Sequence, residues 1–299
     1  MIPQFRVAGL VTCHDRKDKT LQSLSCLFNA ADVCKRAKIK LVIFLTDDDS
    51  SDGTADAVRS QFPDRDIHII HSDGNAYWAG GMCLAWNMAL KTSKNWDFYL
   101  LFNDDTMVNI DAFDELLRTH LFAVDKYGKG GICSGLISSI SDSKIITYGG
   151  KNYKGLFGRS VNVVPHGEPL ECEMTNANLL LVSSEVVESM GIFDTRFHHA
   201  CADWDYGIRA RHSQFPVFVT GVVCGRCDDD HDGDSDLLKK IQPMSIKERK
   251  AYFSHPLRAT ADLRLFMKKH FWYKYLLVDI ARLLNIYTPS LYYRLNNLR

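Results

Sequence analysis

Short apolar runs alternate with segments of helical periodicity over the first 130 residues of the chain. Each apolar run is bounded by turn residues, as expected of a strand that is buried on both faces of a sheet. The predicted strands are residues 5–12, 40–46, 67–71 and 96–102. The predicted helices are residues 21–37, 54–61, 80–91 and 110–126. This alternation predicts an α/β fold with a mainly parallel sheet and helices on both faces, as in nucleotide-binding domains.

The regular alternation stops near Gly130. Further strands are predicted at residues 131–139, 145–148, 179–183 and 215–223, and short helices at residues 184–190 and 203–212. The segments 149–169 and 224–236 are predicted to be loops, and the chain after residue 245 is predicted to be helical. We therefore predict a domain over residues 1–240, whose two halves meet near residue 130, and a helical appendage over residues 241–299.

Charge is distributed unevenly along the chain. The 299 residues are 46% hydrophobic and carry 36 basic and 36 acidic side chains, so the formal charge is zero and a general nucleic-acid binder is not expected. From Ile246 to Arg299, however, eleven Lys or Arg residues accompany three Asp or Glu residues, a net charge of +8. The predicted tail is therefore a basic module on an acidic body.

The nine cysteines are odd in number and scattered through predicted strands and helices. A chain of this length does not need disulfides for stability, so we expect reduced thiols and a cytoplasmic protein. The N-terminal segment has no long apolar stretch, and no run of about 18 uncharged apolar residues occurs elsewhere. The sequence thus predicts neither secretion nor a membrane span.

Asn103, Asp104 and Asp105 follow the predicted strand of residues 96–102, where a buried strand ends and solvent begins. Ligands of α/β sheets bind at the carboxyl ends of strands, and carboxylate oxygens suit Mg²⁺ or Mn²⁺. We therefore predict a divalent cation that holds a diphosphate here. The alternative is a simple turn in which Asp104, Asp105 or Thr106 caps the next helix.

Asp47 and Asp48 form a second acidic strand end, after the predicted strand of residues 40–46. Their carboxylates could accept hydrogen bonds from a pyrimidine N–H or from a ribose hydroxyl. The Ser-Asp-Gly-Thr sequence that follows is typical of a turn and a helix cap. A well-capped loop without a ligand is the alternative interpretation.

The segment after the third predicted strand contains Asp73, Trp78, Gly80 and Gly81. Small residues there would let the backbone approach a ligand, and the N-terminus of the following helix favours an anion such as a diphosphate. Trp78 could form a wall of the pocket. The alternative is ordinary packing, because single glycines and aromatic pairs are common.

Asp203 lies at the start of a predicted helix, where the positive end of the helix dipole favours an ionised carboxylate. Such a carboxylate beside an acceptor hydroxyl can act as a general base, and a helix cap is the alternative. In the later acidic loop, His231 is a candidate ligand of the same cation as Asp105. A zinc site of Cys224, Cys227 and His231 is disfavoured, because a second Cys-x-x-Cys pair is missing.

These motifs, in this order, resemble those of glycosyltransferase family 2, whose members have the GT-A fold. Residues 11–15 resemble the first strand of that family, and residues 47–54 its Asp-Asp-x-Ser-x-Asp-Gly-Thr element. Residues 103–106 resemble its Asn-x-Asp-Thr form of the Asp-x-Asp motif, and residues 203–209 its Glu-Asp-x-Asp-x-x-x-Arg motif. The similarity covers about residues 5–235 and is greatest to the rhamnosyltransferase-like branch, with other bacterial surface-polysaccharide enzymes.

The resemblance implies a GT-A catalytic domain with a Rossmann-like sheet and assigns roles to individual residues. Those expected to contact the nucleotide sugar are Thr12, His14, Asp47, Asp48, Asp73, Trp78, Gly80, Gly81, Asn103 and Asp104. Asp105 and His231 would hold Mn²⁺ or Mg²⁺, and Asp203 would be the catalytic base. Two departures from the family pattern are Asn103 in place of the first Asp and Ala202 in place of the usual Glu, so Asp205 could share the role of Asp203.

The implied activity is inverting transfer of a sugar from a UDP- or dTDP-sugar to a hydroxyl of a glycan or lipid-linked acceptor. Trp78, Asn176 and Asn178 are candidates for donor selection. Two alternatives are a nucleotidyltransferase and a catalytically silent binding protein for nucleotide sugars or carbohydrates. The first would carry a glycine-rich N-terminal loop, which residues 12–17 lack.

The predicted tail interleaves aromatic with basic residues. This composition suits contact with an anionic bilayer on the inner face of the cytoplasmic membrane, each basic residue near the surface adding about 1 kcal/mol. The alternative is that the tail helices pack on the catalytic domain or form a homodimer.

Overall fold

The computed structural model describes residues 2–154, 160–228 and 234–296. The strands in chain order are β1 Gln4–Cys13, β2 Lys38–Asp47, β3 Ile67–His71, β4 Phe98–Asn103, β5 Met107–Val108, β6 Ile132–Ser138, β7 Ile146–Tyr148, β8 Gly150–Tyr153, β9 Ser160–Asn162, β10 Leu170–Glu171, β11 Met174–Thr175, β12 Leu179–Ser183 and β13 Val217–Arg226. The α-helices are α1 Lys17–Asp32, α2 Thr54–Gln61, α3 Tyr77–Thr92, α4 Ala112–Tyr127, α5 Ser184–Met190, α6 Ala202–His212, α7 Asp234–Ile241, α8 Ile246–Ser254, α9 Thr260–His270, α10 Tyr275–Tyr287 and α11 Pro289–Asn296.

The strands of the described residues form a ten-stranded sheet and a separate three-stranded sheet. Along the large sheet the order is β10-β13-β6-β12-β4-β1-β2-β3, with β5 and β7 paired at its side. β1 is parallel to both β2 and β4, and β3 is parallel to β2. β12 is antiparallel to its neighbours β4 and β6, whereas β13 is parallel to β6. The predicted α/β class with a mainly parallel sheet is confirmed.

Helices cover the sheet on both faces because the strands are apolar on both. On one face, α1, α2 and α4 contribute Leu24, Leu27, Phe28, Val58, Phe113 and Leu116 to a buried cluster with strand residues. On the other, the fully buried Trp86 of α3 packs edge-on or tilted against Tyr99, Phe193 and Tyr206, with ring centroids 5.5–5.6 Å apart. These contacts hold α1, α2, α3 and α4 against the sheet.

The segment 149–169, predicted to be a loop, contains strands β8 and β9. With β11 they form the three-stranded sheet. The prediction was wrong here because these strands are three or four residues long and lack apolar alternation, so pairing with distant residues rather than local pattern creates them. The small sheet matters for function, since β11 leads directly into Asn176, Ala177 and Asn178.

By their internal contacts, the residues form two compact units. The first comprises Met1–Thr195 with Asp203–Asp228, and the second comprises Arg196–Ala202 with Asp229–Arg299. In the second unit the buried carboxylate of Asp262 accepts hydrogen bonds from the backbone N–H groups of His198, His199 and Ala200, at 2.7–3.1 Å. None of the helices among the described residues combines the length and the apolar character needed to cross a bilayer.

The two neighbouring glycines of α3 have different surroundings, which gives a matched pair of variants. A Cβ built on Gly81 would lie 2.4 Å from Thr12 Cγ2, whereas the nearest atom to a Cβ on Gly80 is Ala76 Cβ at 3.8 Å. We expect Gly81→Ala to lower the free energy of unfolding by about 1–3 kcal/mol through overpacking. Gly80→Ala should leave it unchanged or raise it by up to about 1 kcal/mol through helix propensity.

Urea denaturation of the two variants measures this difference. Equal stability of Gly81→Ala and Gly80→Ala would contradict the close approach of α3 to β1.

Candidate active site

The carboxylates of Asp104 and Asp105 lie just beyond the end of β4 and share one cationic partner. Arg16 Nη1 is 3.0 Å from Asp104 Oδ1 and 2.9 Å from Asp105 Oδ2. Asp104 is buried and also accepts a hydrogen bond from Thr20 Oγ1 at 3.3 Å. Burial raises the pKa of Asp104 to about 6, against the effect of the Arg16 guanidinium and with a further increase from Asp105. Two carboxylates thus present oxygens to a single cation position.

This donor set fits a hard divalent cation such as Mg²⁺ or Mn²⁺, because both groups are carboxylates at the carboxyl end of a parallel strand. Within the described parts of the chain, no three His, Cys, Asp or Glu side chains gather as a ready metal site. His231, the predicted additional ligand, lies outside the described residues. The thiol of Cys227 is 3.5 Å from Asp105 Oδ1, whereas Cys224 Sγ contacts Thr220 and Val222.

Asn103, the last residue of β4, is held by Trp78. The indole Nε1–H of Trp78 donates to Asn103 Oδ1 at 2.8 Å, and the indole ring also contacts Phe193. The structure therefore brings together two predicted site residues from different elements. The amide oxygen of Asn103 is bound to the indole, which explains how an uncharged residue fits at this position of the acidic motif.

The carboxylate of Asp48 lies at the N-terminus of α3. Its Oδ1 accepts from Ser72 Oγ at 2.6 Å and from Ala76 N at 3.1 Å, and its Oδ2 accepts from Tyr77 N at 2.8 Å. The N–H groups of Ala76 and Tyr77 are thus bound by a carboxylate of the chain itself, which the positive end of the helix dipole favours. Asp48 instead ties the end of β2 to the segment that begins α3.

Asp47, the last residue of β2, is buried, whereas His14, the residue after β1, is exposed. Asp47 Oδ1 accepts from Ser50 N at 3.1 Å, and its Oδ2 is 3.5 Å from His71 Nδ1. The ring nitrogen Nδ1 of His14 is 2.6 Å from the carbonyl oxygen of Asp48. The two predicted residues therefore lie at the same edge of the sheet.

Thr12 and Asp73, two further predicted site residues, differ in burial: Thr12 is buried and Asp73 is exposed. Thr12 on β1 packs against Gly81, and its buried Oγ1 has no hydrogen-bond partner among the described residues. Asp73 is exposed, and its Oδ1 accepts from Asn75 N at 3.2 Å within its own turn. Among the residues that the structure describes, the hydrogen bonds of Asp73 are with Asn75 and not with the other predicted residues.

Asp203 lies in the first turn of α6 and is a buried carboxylate. Its Oδ2 accepts from Ala177 N at 3.1 Å and its Oδ1 from Trp204 N at 2.9 Å. Burial raises the pKa of Asp203 to about 6, although the two backbone N–H groups and the positive charge of Lys151 oppose this increase. A carboxyl with this pKa is ionised at neutral pH and can still take up a proton.

One short segment of backbone joins the two acidic centres. Ala177 donates its N–H to Asp203 Oδ2, and the carbonyl oxygen of the next residue, Asn178, accepts the N–H of Asn103 at 3.2 Å. Two consecutive residues after β11 therefore contact both Asp203 and the end of β4. Centres that are about a hundred residues apart in sequence lie side by side in the fold.

Asp205 differs from Asp203 in its surroundings. Its side chain is fully buried, and its Oδ2 accepts from Arg209 Nε at 2.7 Å along α6. Arg209 in turn donates to the carbonyl oxygen of Ile192 at 3.1 Å. Asp205 is thus part of an ion pair that fixes α6 against the end of α5.

Searches against protein-family models and against curated proteins found no match. Solved structures do match. Mannosyltransferase PcManGT from Pyrobaculum calidifontis, in complex with GDP-Man and Mn²⁺, aligns with a TM-score of 0.54 and 14% identity over 88% of this chain and 70% of that one. TarS from S. aureus, in complex with UDP, aligns with a TM-score of 0.50 and 14% identity over 89% of this chain and 72% of that one.

GalNAc-T7 with UDP, GalNAc and Mn²⁺ aligns with a TM-score of 0.55 and 12% identity, over 74% of this chain and 43% of that one. Likeness at such low identity establishes the fold. The chain has the GT-A fold. The architecture is therefore that of glycosyltransferases whose structures contain nucleotides, a nucleotide sugar or Mn²⁺.

Within this GT-A fold, the sequence interpretation missed residues that contact the two acidic centres. They are Arg16 beside Asp104 and Asp105, Cys227 beside Asp105, and Lys151 near Asp203. Arg16 could have been found, because a basic residue directly after the first strand is expected near other strand ends. Lys151 lies in the segment predicted to be a loop, and Cys227 was considered only as a zinc ligand.

Proposed function

We propose that the protein is an inverting, metal-dependent glycosyltransferase that moves a sugar from a nucleoside-diphosphate donor to a hydroxyl of an acceptor. One observation carries this proposal: Ala177 hydrogen-bonds Asp203, and the next residue, Asn178, hydrogen-bonds Asn103. These two bonds bring the buried base candidate Asp203 beside the strand-end carboxylates. Transfer requires a donor site for a diphosphate and a nearby base for the acceptor. Two solved structures with this fold, in complex with GDP-Man and Mn²⁺ and with UDP, support a donor site of this kind.

On the donor side, we assign Asp105 and Asp104 to a divalent cation, with His231 as a further candidate ligand. A cation bound there would neutralise the charge that develops on the departing nucleoside diphosphate. Asp47 is assigned to the nucleoside, because it lies at the end of β2. Asp48 positions the start of α3, since its oxygens are bound by backbone and hydroxyl groups.

On the acceptor side, Asp203 takes the proton of the attacking hydroxyl, which attacks the anomeric carbon from the face opposite the leaving diphosphate. Direct attack needs no covalent sugar–enzyme intermediate and inverts the configuration. Asp205 is assigned a positioning role, because its carboxylate is paired with Arg209. Asn176 remains a candidate for donor selection, since it is buried and its Oδ1 has no hydrogen-bond partner among the described residues.

The sequence motifs support membership of glycosyltransferase family 2, in the rhamnosyltransferase-like branch, with a hexosyl or deoxyhexosyl donor linked to UDP or dTDP. We place the enzyme in the cytoplasm and in the synthesis of a bacterial surface polysaccharide, with a glycan or a lipid-linked saccharide as acceptor. These assignments rest on the resemblance in residues 47–54, 103–106 and 203–209.

A thermal-shift screen of nucleotide sugars with and without Mn²⁺ tests the proposed donor. We expect the melting temperature to rise with one nucleotide class and only when Mn²⁺ is present, because a ligand that binds the folded state stabilises it. A nucleotidyltransferase would instead respond to nucleoside triphosphates. A silent binding protein would show the shift without transfer of radiolabelled sugar, and either result would contradict the proposal.

The helices of the second unit offer a contact surface for an anionic bilayer, and we propose this occupant for it. Leu276, Ile280, Leu283 and Tyr287 repeat along one face of α10 and are each about half exposed. The net charge of +8 in residues 246–299 complements anionic lipid and opposes contact between two copies of this segment. Bilayer contact would bring the enzyme to a lipid-linked acceptor.

Sedimentation of the full chain with phosphatidylglycerol vesicles tests the surface. Ile280→Ser should reduce the bound fraction several-fold, because an apolar side chain that is 52% exposed is lost from the bilayer-facing side. Leu121→Ser on α4, where the side chain is 53% exposed, is the matched control and should bind as the unmodified protein does. Equal binding of the two variants to the vesicles would overturn the bilayer proposal. So would a dimer of the unmodified protein in analytical ultracentrifugation that the Ile280→Ser substitution dissociates.

A further inference from the structure

Arg16 is the cation that lies between the two strand-end carboxylates. Its Nη1 contacts one oxygen of Asp104 and one oxygen of Asp105, at 3.0 and 2.9 Å. These are the same two side chains that the proposed function assigns to a divalent cation. Because the guanidinium uses an oxygen of each carboxylate, it competes with any metal ion that requires those oxygens.

The backbone around Arg16 is fixed, whereas its side chain is partly in solvent. Asp15 Oδ1 accepts from Ser51 N at 2.6 Å, and Lys17 N donates to Asp52 Oδ2 at 2.8 Å. The residues on both sides of Arg16 are therefore tied to the loop after β2. The Arg16 side chain is 37% exposed, and its several rotatable bonds allow the guanidinium to change position while the backbone stays in place.

Asp104 and Asp105 need a positive charge whether or not a metal ion is bound. Asp104 is 4% exposed, and its neighbour Asp105 is the next residue in the chain. Two adjacent carboxylates that are largely removed from water repel each other and lose solvation, unless a cation compensates. The guanidinium of Arg16 is a cation placed to compensate both carboxylates.

We propose that Arg16 is a built-in substitute for the metal ion: it neutralises Asp104 and Asp105 in the metal-free enzyme and transfers to the donor diphosphate when the metal displaces it. The inference rests on the proposed function and deepens it. A guanidinium offers paired N–H donors that match phosphate oxygens, and its anchor at residue 16 keeps it within the same site. Arg16 therefore couples the binding of the metal ion to the binding of the nucleotide.

The coupling has a thermodynamic consequence. The metal ion alone must displace Arg16 without compensation. Its apparent affinity for the free enzyme is therefore the intrinsic affinity multiplied by the fraction of molecules in which the carboxylates are available. When a diphosphate is present, the displaced guanidinium gains a new partner. The metal ion and the diphosphate should therefore each strengthen the binding of the other by the same factor.

Titration of the full-length protein with Mn²⁺, followed by the electron paramagnetic resonance signal of free Mn²⁺, tests the proposal without any activity measurement. Without nucleotide, Arg16→Met should bind Mn²⁺ about tenfold more tightly than the unmodified protein, because the competing cation is gone. With saturating UDP, the gain in Mn²⁺ affinity that UDP confers should be smaller in Arg16→Met. Arg16→Lys, which keeps a charge but not the paired donors, should be intermediate.

Lys17→Met is the matched control, since it removes one positive charge from the neighbouring residue, whose Nζ donates to the carbonyl oxygen of Asp52 instead. Equal Mn²⁺ affinity of Arg16→Met and the unmodified protein, or an equal gain in Lys17→Met, would overturn the role of Arg16. A different result would contradict the proposed function, namely Mn²⁺ binding by Asp105→Asn that equals binding by the unmodified protein. Circular dichroism of each variant identifies a folding defect. If Arg16→Met does not fold, the Mn²⁺ affinity of Arg16→Lys, compared with that of the unmodified protein, still tests the proposal.

Discussion

An Asp203→Asn enzyme is expected to bind the nucleotide sugar as the unmodified enzyme does, while the rate of transfer falls about 10²–10⁴-fold. The amide has nearly the shape of the carboxylate but cannot take a proton from the acceptor hydroxyl. Its single oxygen can accept only one of the two backbone N–H groups, from Ala177 or Trp204, which costs about 1 kcal/mol of stability. Single-turnover transfer and calorimetric donor affinity measure the two quantities separately.

Asp205→Asn is the control for this experiment, because Asp205 is the other candidate on the same turn of α6. Its carboxylate is fully buried and paired with Arg209, so breaking the pair should lower the free energy of unfolding by about 3 kcal/mol. The remaining folded fraction should keep its rate of transfer. Full transfer by Asp203→Asn, or a selective loss of rate in Asp205→Asn, would reverse the assignment of the base.

The pH dependence of transfer follows from the same residue. Burial raises the pKa of Asp203 to about 6, and the base acts only when it is ionised. The rate should therefore be constant above pH 7 and fall as the pH decreases through 6, to about one tenth at pH 5. Asp203→Asn should lose this limb of the profile, and a limb that persists in the variant would belong to another group.

The second large effect is expected from Asp105→Asn, which removes one of the two carboxylates assigned to the divalent cation. Loss of a ligand should weaken Mn²⁺ binding by at least about 100-fold, and binding of the donor in the presence of Mn²⁺ should weaken with it. The remaining carboxylate of Asp104 is buried and still paired with Arg16, so the fold should be retained. Mn²⁺ titration and donor affinity with and without Mn²⁺ are the measurements.

Asp111→Asn provides the matched control, since this exposed residue follows the same motif but makes no side-chain capping hydrogen bond to α4. It should bind Mn²⁺ and donor normally. If Asp105→Asn retains Mn²⁺-dependent donor binding, the strand-end carboxylates are not the cation site and the proposed mechanism loses its leaving-group stabilisation.

The α/β class and the acidic strand ends could be predicted from the sequence, because both depend on local patterns. A buried strand in a parallel sheet is a short apolar run, and residues just after it must lie at the carboxyl edge. Asp47, Asp48 and Asp105 could therefore be placed at one edge without any knowledge of pairing. The helix that starts near Asp203 was recognisable in the same way.

The roles within that edge could not be predicted, because they depend on which distant groups each side chain meets. Asp48 and Asp47 are neighbours of the same type, yet Asp48 is bound by N–H groups at the start of α3. Asn103 likewise has its amide oxygen directed to Trp78. Both outcomes are set by the packing of α3 against β1 and β2, where Gly81 permits close approach.

The sequence by itself determined where carboxylates can gather, since hydrophobic periodicity fixes strands and strands fix their own ends. Only the tertiary structure decided that β12 lies antiparallel beside β4, which brings Ala177 and Asn178 between Asp203 and Asn103. It also decided that Arg16 pairs with Asp104 and Asp105. The physical reason is that strand order and long-range side-chain contacts depend on the packing of the whole sheet, which no local pattern encodes.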